Sequence, residues 1–322
     1  MGQYVVDHVH AGLRLDRYVP SVCTDLSRSR AARLIDAGAI TLNDRRAVAS
    51  TNVQAGDRVD VAPLQQAGGL APEAGDLDVL AELASVVAIC KPAGLVMHPG
   101  AGRDSGTLAH RLLGRYPEVA AIGHPRRPGI VHRLDKDTSG VVVVARTLAA
   151  YAHLAELFAR RAVEKTYLAL VHGRPANLRG VVNAPIGRHP ADPTRMAVTR
   201  SGRGATTAYE VLHSSGRTSL LSATPATGRT HQIRVHLAAI GHPLLGDGAY
   251  GGGARSAPRP MLHAWSLAYP DLDGTPRTFV APIPSDFITV ALQHGLSVPQ
   301  PPRSAAPETG TTAGAPRAES PL

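Results

Sequence analysis

The residues best placed to do chemistry in this chain of 322 residues lie in one stretch, Gly129-Ile130-Val131-His132-Arg133-Leu134-Asp135-Lys136-Asp137-Thr138-Ser139-Gly140. It sets an imidazole, a guanidinium and two carboxylates just before Val141-Val142-Val143-Val144, a β-branched run that reads as a buried strand. Charged groups at the mouth of such a strand cost desolvation unless they are paired or used. A carboxylate there can attack an electrophile or take a proton, and His132 is a rival general base. A polar turn closing a hairpin would draw on the same residue types.

Other chemistries fit poorly. There is neither a Walker pattern nor a strand running into Gly-x-Gly-x-x-Gly, so no nucleotide cofactor is expected, and Gly251-Gly252-Gly253 reads as a loop. His231, His236 and His242 do not share one helix face and no cysteine pair supports them, so no metal is expected. A nucleophilic serine would need an elbow motif that is missing. Asp135 and Asp137, two apart in an extended segment, point to opposite faces and do not make a glycosidase pair. One carboxylate, one tyrosine and one arginine remain as candidates.

The elements that must position them can be read in outline. Residues 12–62 form a small unit: Leu13, Leu15, Tyr18 and Val19 face inward from a short helix, and Ser27 caps a second helix over 28–37 that Gly38 stops. Strands follow at 39–42 and 58–61, with Asn43-Asp44 as a turn. On the second helix Arg30 and Arg33 share a side and Arg28 is close by, either a solvated face or a stripe that tracks a phosphate backbone. Residues 63–76, rich in Gly and Gln, read as a linker. A larger domain over 77–291 carries strands at 86–90 and 163–171, a short helix at 107–113 and amphipathic helices at 148–161 and 230–240. It adds further β segments around 180–221, 261–268 and 279–281. These lack the regular helix insertions of a doubly wound parallel sheet, so the fold class is α+β. The tail 297–322 has nothing to bury and is expected to be disordered.

Net charge is +9, which favours a polyanionic partner, although the abundance of Ala, Arg, Gly and Pro weakens that signal. No apolar run is long enough to span a membrane and no secretory leader is visible. With only Cys23 and Cys90, a reduced cytoplasmic protein is the simplest expectation.

Several motifs in order carry a resemblance. Lys91-Pro92-Ala93-Gly94-Leu95, the stretch 129–140, Glu164-Lys165-Thr166-Tyr167-Leu168-Ala169-Leu170-Val171-His172-Gly173 and Gly228-Arg229-Thr230-His231-Gln232-Ile233-Arg234-Val235-His236-Leu237 resemble the RluA-type RNA pseudouridine synthases. Ala184-Pro185-Ile186-Gly187-Arg188-His189 and Gly241-His242-Pro243-Leu244-Leu245-Gly246-Asp247 extend the likeness. Residues 12–62, with Leu15-Asp16-Arg17, Ser27-Arg28-Ser29-Arg30, Leu42-Asn43 and Gly56-Asp57, resemble the S-four RNA-binding module. Together they are most similar to the RluD branch.

The resemblance implies a mixed, mainly antiparallel sheet with flanking helices, preceded by a small α/β RNA-binding domain. It implies isomerisation of uridine to pseudouridine in structured RNA, with large-subunit ribosomal RNA as the target. Asp135 would be the catalytic residue and Tyr167 would stack on the uracil or help remove a proton. Arg234 would pair with Asp135, and Arg133 would help displace the target base. Arg28, Arg30 and Arg33 would bind RNA. A monomer without metal or cofactor is expected, because the reaction only detaches uracil from ribose carbon 1′ and rejoins it through carbon 5. Whether the carboxylate attacks the ribose, attacks the ring or abstracts a proton stays open at this level. A catalytically silent RNA-binding or ribosome-assembly factor would use the same cleft, but would gain nothing from a carboxylate near phosphates. His132 reads as a loop-packing residue, and Asp137 as a turn residue.

Overall fold

The computed structural model of the chain describes residues 2–23, 26, 28–62, 70–100, 103–253 and 256–299, the side chains of Ser29, Arg30 and Arg33 apart. The chain divides into two units, Met1–Gly69 and Leu70–Leu322. In the first, β1 (Gly2–Val5) precedes helices α1 (Leu15–Val22) and α2 (Arg28–Asp36), and strands β2 (Ile40–Leu42), β3 (Arg45–Arg46) and β4 (Arg58–Val61) follow. The strands form an antiparallel sheet in the order β1-β4-β2-β3. Leu15, Tyr18, Val19, Ala31, Ile35, Ile40 and Val59 are its core. Asn43 and Asp44, at φ 51° and 62°, supply the two left-handed positions that a two-residue hairpin needs. Strand β1 lies outside the unit expected from residue 12 onward, because Gly2 to Val5 pair with Val61 to Arg58. Ser27, the expected cap of α2, lies outside the described residues.

The second unit opens with β5 (Asp78–Glu82) and β6 (Val86–Lys91), then α3 (Leu108–Arg115) and a small hairpin, β7 (Gly123–His124) and β8 (Arg127–Pro128). Strand β9 (Ser139–Ala145), helix α4 (Leu148–Ala159), β10 (Glu164–His172) and β11 (Arg179–Asn183) follow. Next come a second small hairpin, β12 (Ile186–Arg188) and β13 (Met196–Val198), and the long strands β14 (Thr206–Ser214) and β15 (Thr218–Pro225). Helix α5 (Gln232–Ala239), β16 (Leu262–Pro270), β17 (Pro276–Val280) and α6 (Ser285–Gln293) complete it. One sheet of nine strands runs β11-β14-β15-β10-β16-β9-β6-β5, with β17 also on β16. Its pairings are antiparallel except for a short parallel contact of His263 and Ala264 in β16 with Ser139 and Gly140 in β9. The α+β class and the mixed, mainly antiparallel sheet are therefore as expected.

Alternation along the strands builds two layers of core. Val87 and Ile89 of β6 with Val142 and Val144 of β9 pack on Leu108 and Leu112 of α3. Val86 and Ala88 with Val141 and Val143 face the other way, onto Ala150, Leu154 and Leu157 of α4. All seven residues of β9 are buried, as a strand covered on both faces should be. Farther along the sheet, Leu168, Leu170 and Leu220 meet Phe287 and Val290 of α6, while Ala169, Val171 and Leu221 meet Ile233 and Leu237 of α5.

Three expectations change. Residues 63–69 of the linker lie outside the described residues, but 70–76 are docked: Leu70 packs on the core beside α3, and the Glu73 carboxylate accepts the Gly106 N–H at 2.8 Å. Helix α6 was not foreseen. The chain also stays ordered past residue 297, where Leu296 is buried and the Ser297 N–H donates to His213 Nδ1 at 2.8 Å. Residues 300–322 of the expected tail lie outside the described residues. Among the described residues no helix is long and apolar enough to cross a membrane.

Candidate active site

Asp135 sits in the loop that leads into β9, and two buried cations fix that loop from behind. Lys91, fully buried at the end of β6, donates from Nζ to the carbonyls of Pro92 (2.7 Å), Leu95 (2.9 Å) and Lys136 (2.9 Å). Arg259 donates to the Asp137 carbonyl at 3.1 Å and grips Asp286 of α6 with two bonds, at 2.6 and 3.1 Å. The carbonyls directly after Asp135 are thus each held by a charged donor, the stronger kind of hydrogen bond. Gly140 closes the loop at φ 120°, where any side chain would overlap the Ala264 carbonyl of the neighbouring strand.

The carboxylate faces a cleft of about 450 Å³ lined by the 131–135 loop, the end of α4, Lys165 and Tyr167 of β10, and residues 225–234. That volume falls in the range of small-ligand sites. Asp135 and Tyr167 both line it, as do Arg133 and Arg234, so the structure brings four of the expected site residues to one place. Arg133 and Arg161 are exposed, and the half-buried Lys165 and Arg229 are further cations of the lining.

Arg234 projects from α5. Its Nη1 stands 3.5 Å from Asp135 Oδ2, and its main partner is a different carboxylate: Nε and Nη2 donate to Asp247 Oδ2 and Oδ1 at 2.7 and 2.9 Å. Asp247 is fully buried. Burial works against the Arg234 charge, but the two-bond grip of Asp247 outweighs it and holds the pKa above the usual value. The guanidinium also lies 5.0 Å from the ring centre of Tyr250. Sequence reasoning placed Asp247 in a motif without a role; a carboxylate thirteen residues beyond Arg234, across a turn, gives no periodic signal.

Tyr167 is half-buried against both the α3 core and the α5 core. Burial first, and the negative charge of Asp135 second, push its hydroxyl above the ordinary tyrosine range. It therefore stays protonated at neutral pH. His132 accepts the Val143 N–H at Nε2 (3.0 Å) and stacks on Phe158 of α4 with ring centres 4.8 Å apart. Burial lowers its pKa to about 3, with Lys165 adding to the effect. Its acceptor nitrogen is already used, which matches a packing role.

The three histidines weighed as metal ligands have protein partners. His231 bonds Tyr250, His236 bonds Thr207 Oγ1 and the Ala184 carbonyl, and His242 bonds the His172 carbonyl. The candidate RNA-binding arginines lie on α2. Arg28 is exposed, but its guanidinium is engaged at 3.0 Å by buried Asp16, which also binds Arg14. The side chains of Arg30 and Arg33 lie outside the described residues.

Comparison with known proteins adds an independent line. A family model described as RNA pseudouridylate synthase matches residues 85–239, and one described as S4 domain matches residues 13–59. An uncharacterized RNA pseudouridine synthase of Synechocystis sp. is 40% identical over 86% of this chain and 87% of its own. The ribosomal large subunit pseudouridine synthase D of Nitrosomonas europaea is 42% identical over 86% of this chain and 83% of its own. Among solved structures, human RNA pseudouridylate synthase domain containing 4 superposes with a TM-score of 0.56 at 29% identity. That match covers 69% of this chain and 95% of the human one.

Proposed function

Since this chain belongs to the RNA pseudouridine synthase family, isomerases that convert uridine to pseudouridine, we propose that its substrate is large-subunit ribosomal RNA and its reacting carboxylate is Asp135. The observation that carries the second half is the placement of Asp135 in a cationic cleft, with Arg234 3.5 Å away and Tyr167 on the same lining. The RNA target is supported by relatives named ribosomal large subunit pseudouridine synthase D and by the S4 domain.

In the reaction the bond from uracil N1 to ribose C1′ breaks, the base turns, and C5 bonds to C1′. A proton then leaves C5 and one arrives at N1, so substrate and product have the same formula. The chain's residues divide this work. The exposed Arg133 and Arg161, with Lys165 and Arg229 deeper in the lining, attract the phosphate backbone. A base drawn from a structured RNA costs a few kcal/mol to unstack, and the ring of Tyr167 returns about 1–3 kcal/mol by stacking. Tyr167 offers its ring face to stack on the base and its hydroxyl to help move a proton. Asp135 meets the flipped nucleotide as the nucleophile or base, and Arg234, locked by Asp247, holds it. A cytoplasmic monomer is the simplest form of this reading.

The test is to incubate the purified protein with a large-subunit ribosomal RNA transcript and map pseudouridine by reverse-transcription stops after carbodiimide treatment. New pseudouridines that depend on the protein are expected. Pseudouridine appearing in transfer RNA and not in this transcript would overturn the substrate assignment.

A further inference from the structure

His231 is a cleft residue that the reaction as described leaves without a task. It occupies the residue before α5 at φ 55°, ψ 22°, left-handed backbone that side chains other than Asn, Asp and His seldom adopt. Such a position is retained when the fold over-determines it, and these positions cluster at functional sites. Here the imidazole links two groups. Its Nδ1 is 2.8 Å from the Tyr250 hydroxyl, and its Nε2 is 3.9 Å from Asp135 Oδ2.

Tyr250 is placed to set the tautomer. Its oxygen already accepts the Met196 N–H at 3.0 Å, and the guanidinium groups of Arg234 and Arg195 lie 5.0 and 5.4 Å from its ring centre. Donation of the hydroxyl proton to His231 Nδ1 puts the imidazole N–H on Nε2, the side that faces Asp135. Arg234 Nη1 approaches the same carboxylate oxygen, Oδ2, at 3.5 Å. Among the described residues Oδ1 has no hydrogen-bond partner. Both approaches to Oδ2 are longer than a formed hydrogen bond and place the two donors within reach of one.

We propose that His231 is a positioning residue: its Nε2–H, set by Tyr250, joins Arg234 in holding Oδ2 of Asp135, so that Oδ1 is the oxygen that meets the nucleotide. The inference rests on Asp135 being the reacting carboxylate. Besides Asp135 and Tyr250, the charged groups that act on the ring are Arg234 and Asp247 behind it and Arg133 at the rim.

Two substitutions separate positioning from local structure. His231→Asn suits left-handed backbone and keeps a polar group near Tyr250, but ends short of Asp135. His231→Gln places an amide N–H near the original Nε2. Single-turnover release of tritium from a ribosomal RNA transcript carrying uridine tritiated at carbon 5 reads the chemistry, and filter binding reads RNA affinity. His231→Asn should slow release by at least about tenfold, the loss of one charge-assisted hydrogen bond to the reacting carboxylate, with RNA affinity within about twofold. His231→Gln should recover most of that loss. Tyr250→Phe, which keeps the ring beside both guanidiniums, should slow release less than His231→Asn, and adding it to His231→Asn should cost little more. The proposal is overturned by a His231→Asn enzyme at the wild-type rate, by Asn and Gln enzymes that are equally slow, or by additive losses for the His231 and Tyr250 changes. Asp135→Asn in the same assay separates the two layers. An active Asp135→Asn enzyme removes the underlying reading, whereas an inactive one beside a fully active His231→Asn enzyme removes only the role of His231.

Discussion

At the scale of single residues, the site is organised by charges that are satisfied elsewhere. Arg234 reaches Asp135 only because Asp247 takes two of its donors and fixes its plane, a geometry that a point charge such as Lys could not reproduce. Asp247→Asn should therefore do two things. It should destabilise the fold by about 3 kcal/mol, the scale of breaking a buried ion pair from one side, measured by urea denaturation. It should also slow isomerisation while RNA affinity is kept, because Arg234 loses its orientation. Full activity in that variant would show that Asp247 does not position the arginine. The motif residues Asp135, Tyr167 and Arg234 were legible in the sequence as a set, through types and order that resemble a family. The dependence of Arg234 on Asp247 was not, because the contact is made across a turn and depends on side-chain geometry that no spacing encodes.

Among elements, β9 and its entry loop carry the site. The run of valines made the strand legible, and its two faces pack as alternation requires. What lies beside it was not legible: the parallel pairing to β16 joins residues more than a hundred positions apart, and only Gly140 marks the close approach. Gly140→Ala should cost at least about 2 kcal/mol in stability, from left-handed backbone strain together with overlap on the Ala264 carbonyl. A melting temperature unchanged from wild type would contradict this. The helix expected over 230–240 begins only at Gln232, since hydrophobic periodicity does not sense the left-handed turn at His231. Helix α6 lies almost wholly inside the expected domain but was not read as a helix; Pro282 and Pro284 directly before it interrupt the pattern.

His132 gives the β9 entrance a pH dependence. Its pKa in the folded protein is depressed to about 3, against about 6.5 for an unperturbed histidine. Between those values the unfolded chain binds a proton that the folded chain does not, so stability is fully present above pH 6.5 and declines as pH falls toward 3. His263, lowered to about 4 by burial, acts in the same direction. The unfolding free energy of wild type should fall between pH 6.5 and 5 by up to about 1.4 kcal/mol per pH unit for each such histidine. His132→Phe should show a shallower decline over that window. Equal slopes in the two proteins would mean that His132 titrates alike in both states.

For the whole molecule, the division into a small unit with an S4 domain and a larger unit with the pseudouridylate synthase match suits an enzyme that must bind RNA and act on uridine within it. Removing residues 1–62 should weaken RNA binding and flatten its salt dependence, because fewer phosphates are neutralised. A salt slope equal to that of the full chain would remove the RNA-binding role of the first unit. The central claim concerns the second unit, and it comes down to one carboxylate. Purified wild type and Asp135→Asn should be incubated with the same large-subunit ribosomal RNA transcript and the pseudouridine formed counted by mass spectrometry of the digested RNA. The account predicts pseudouridine with wild type and none with Asp135→Asn, at RNA affinities that differ by less than about 1 kcal/mol. Pseudouridine formed by the Asp135→Asn protein would contradict it.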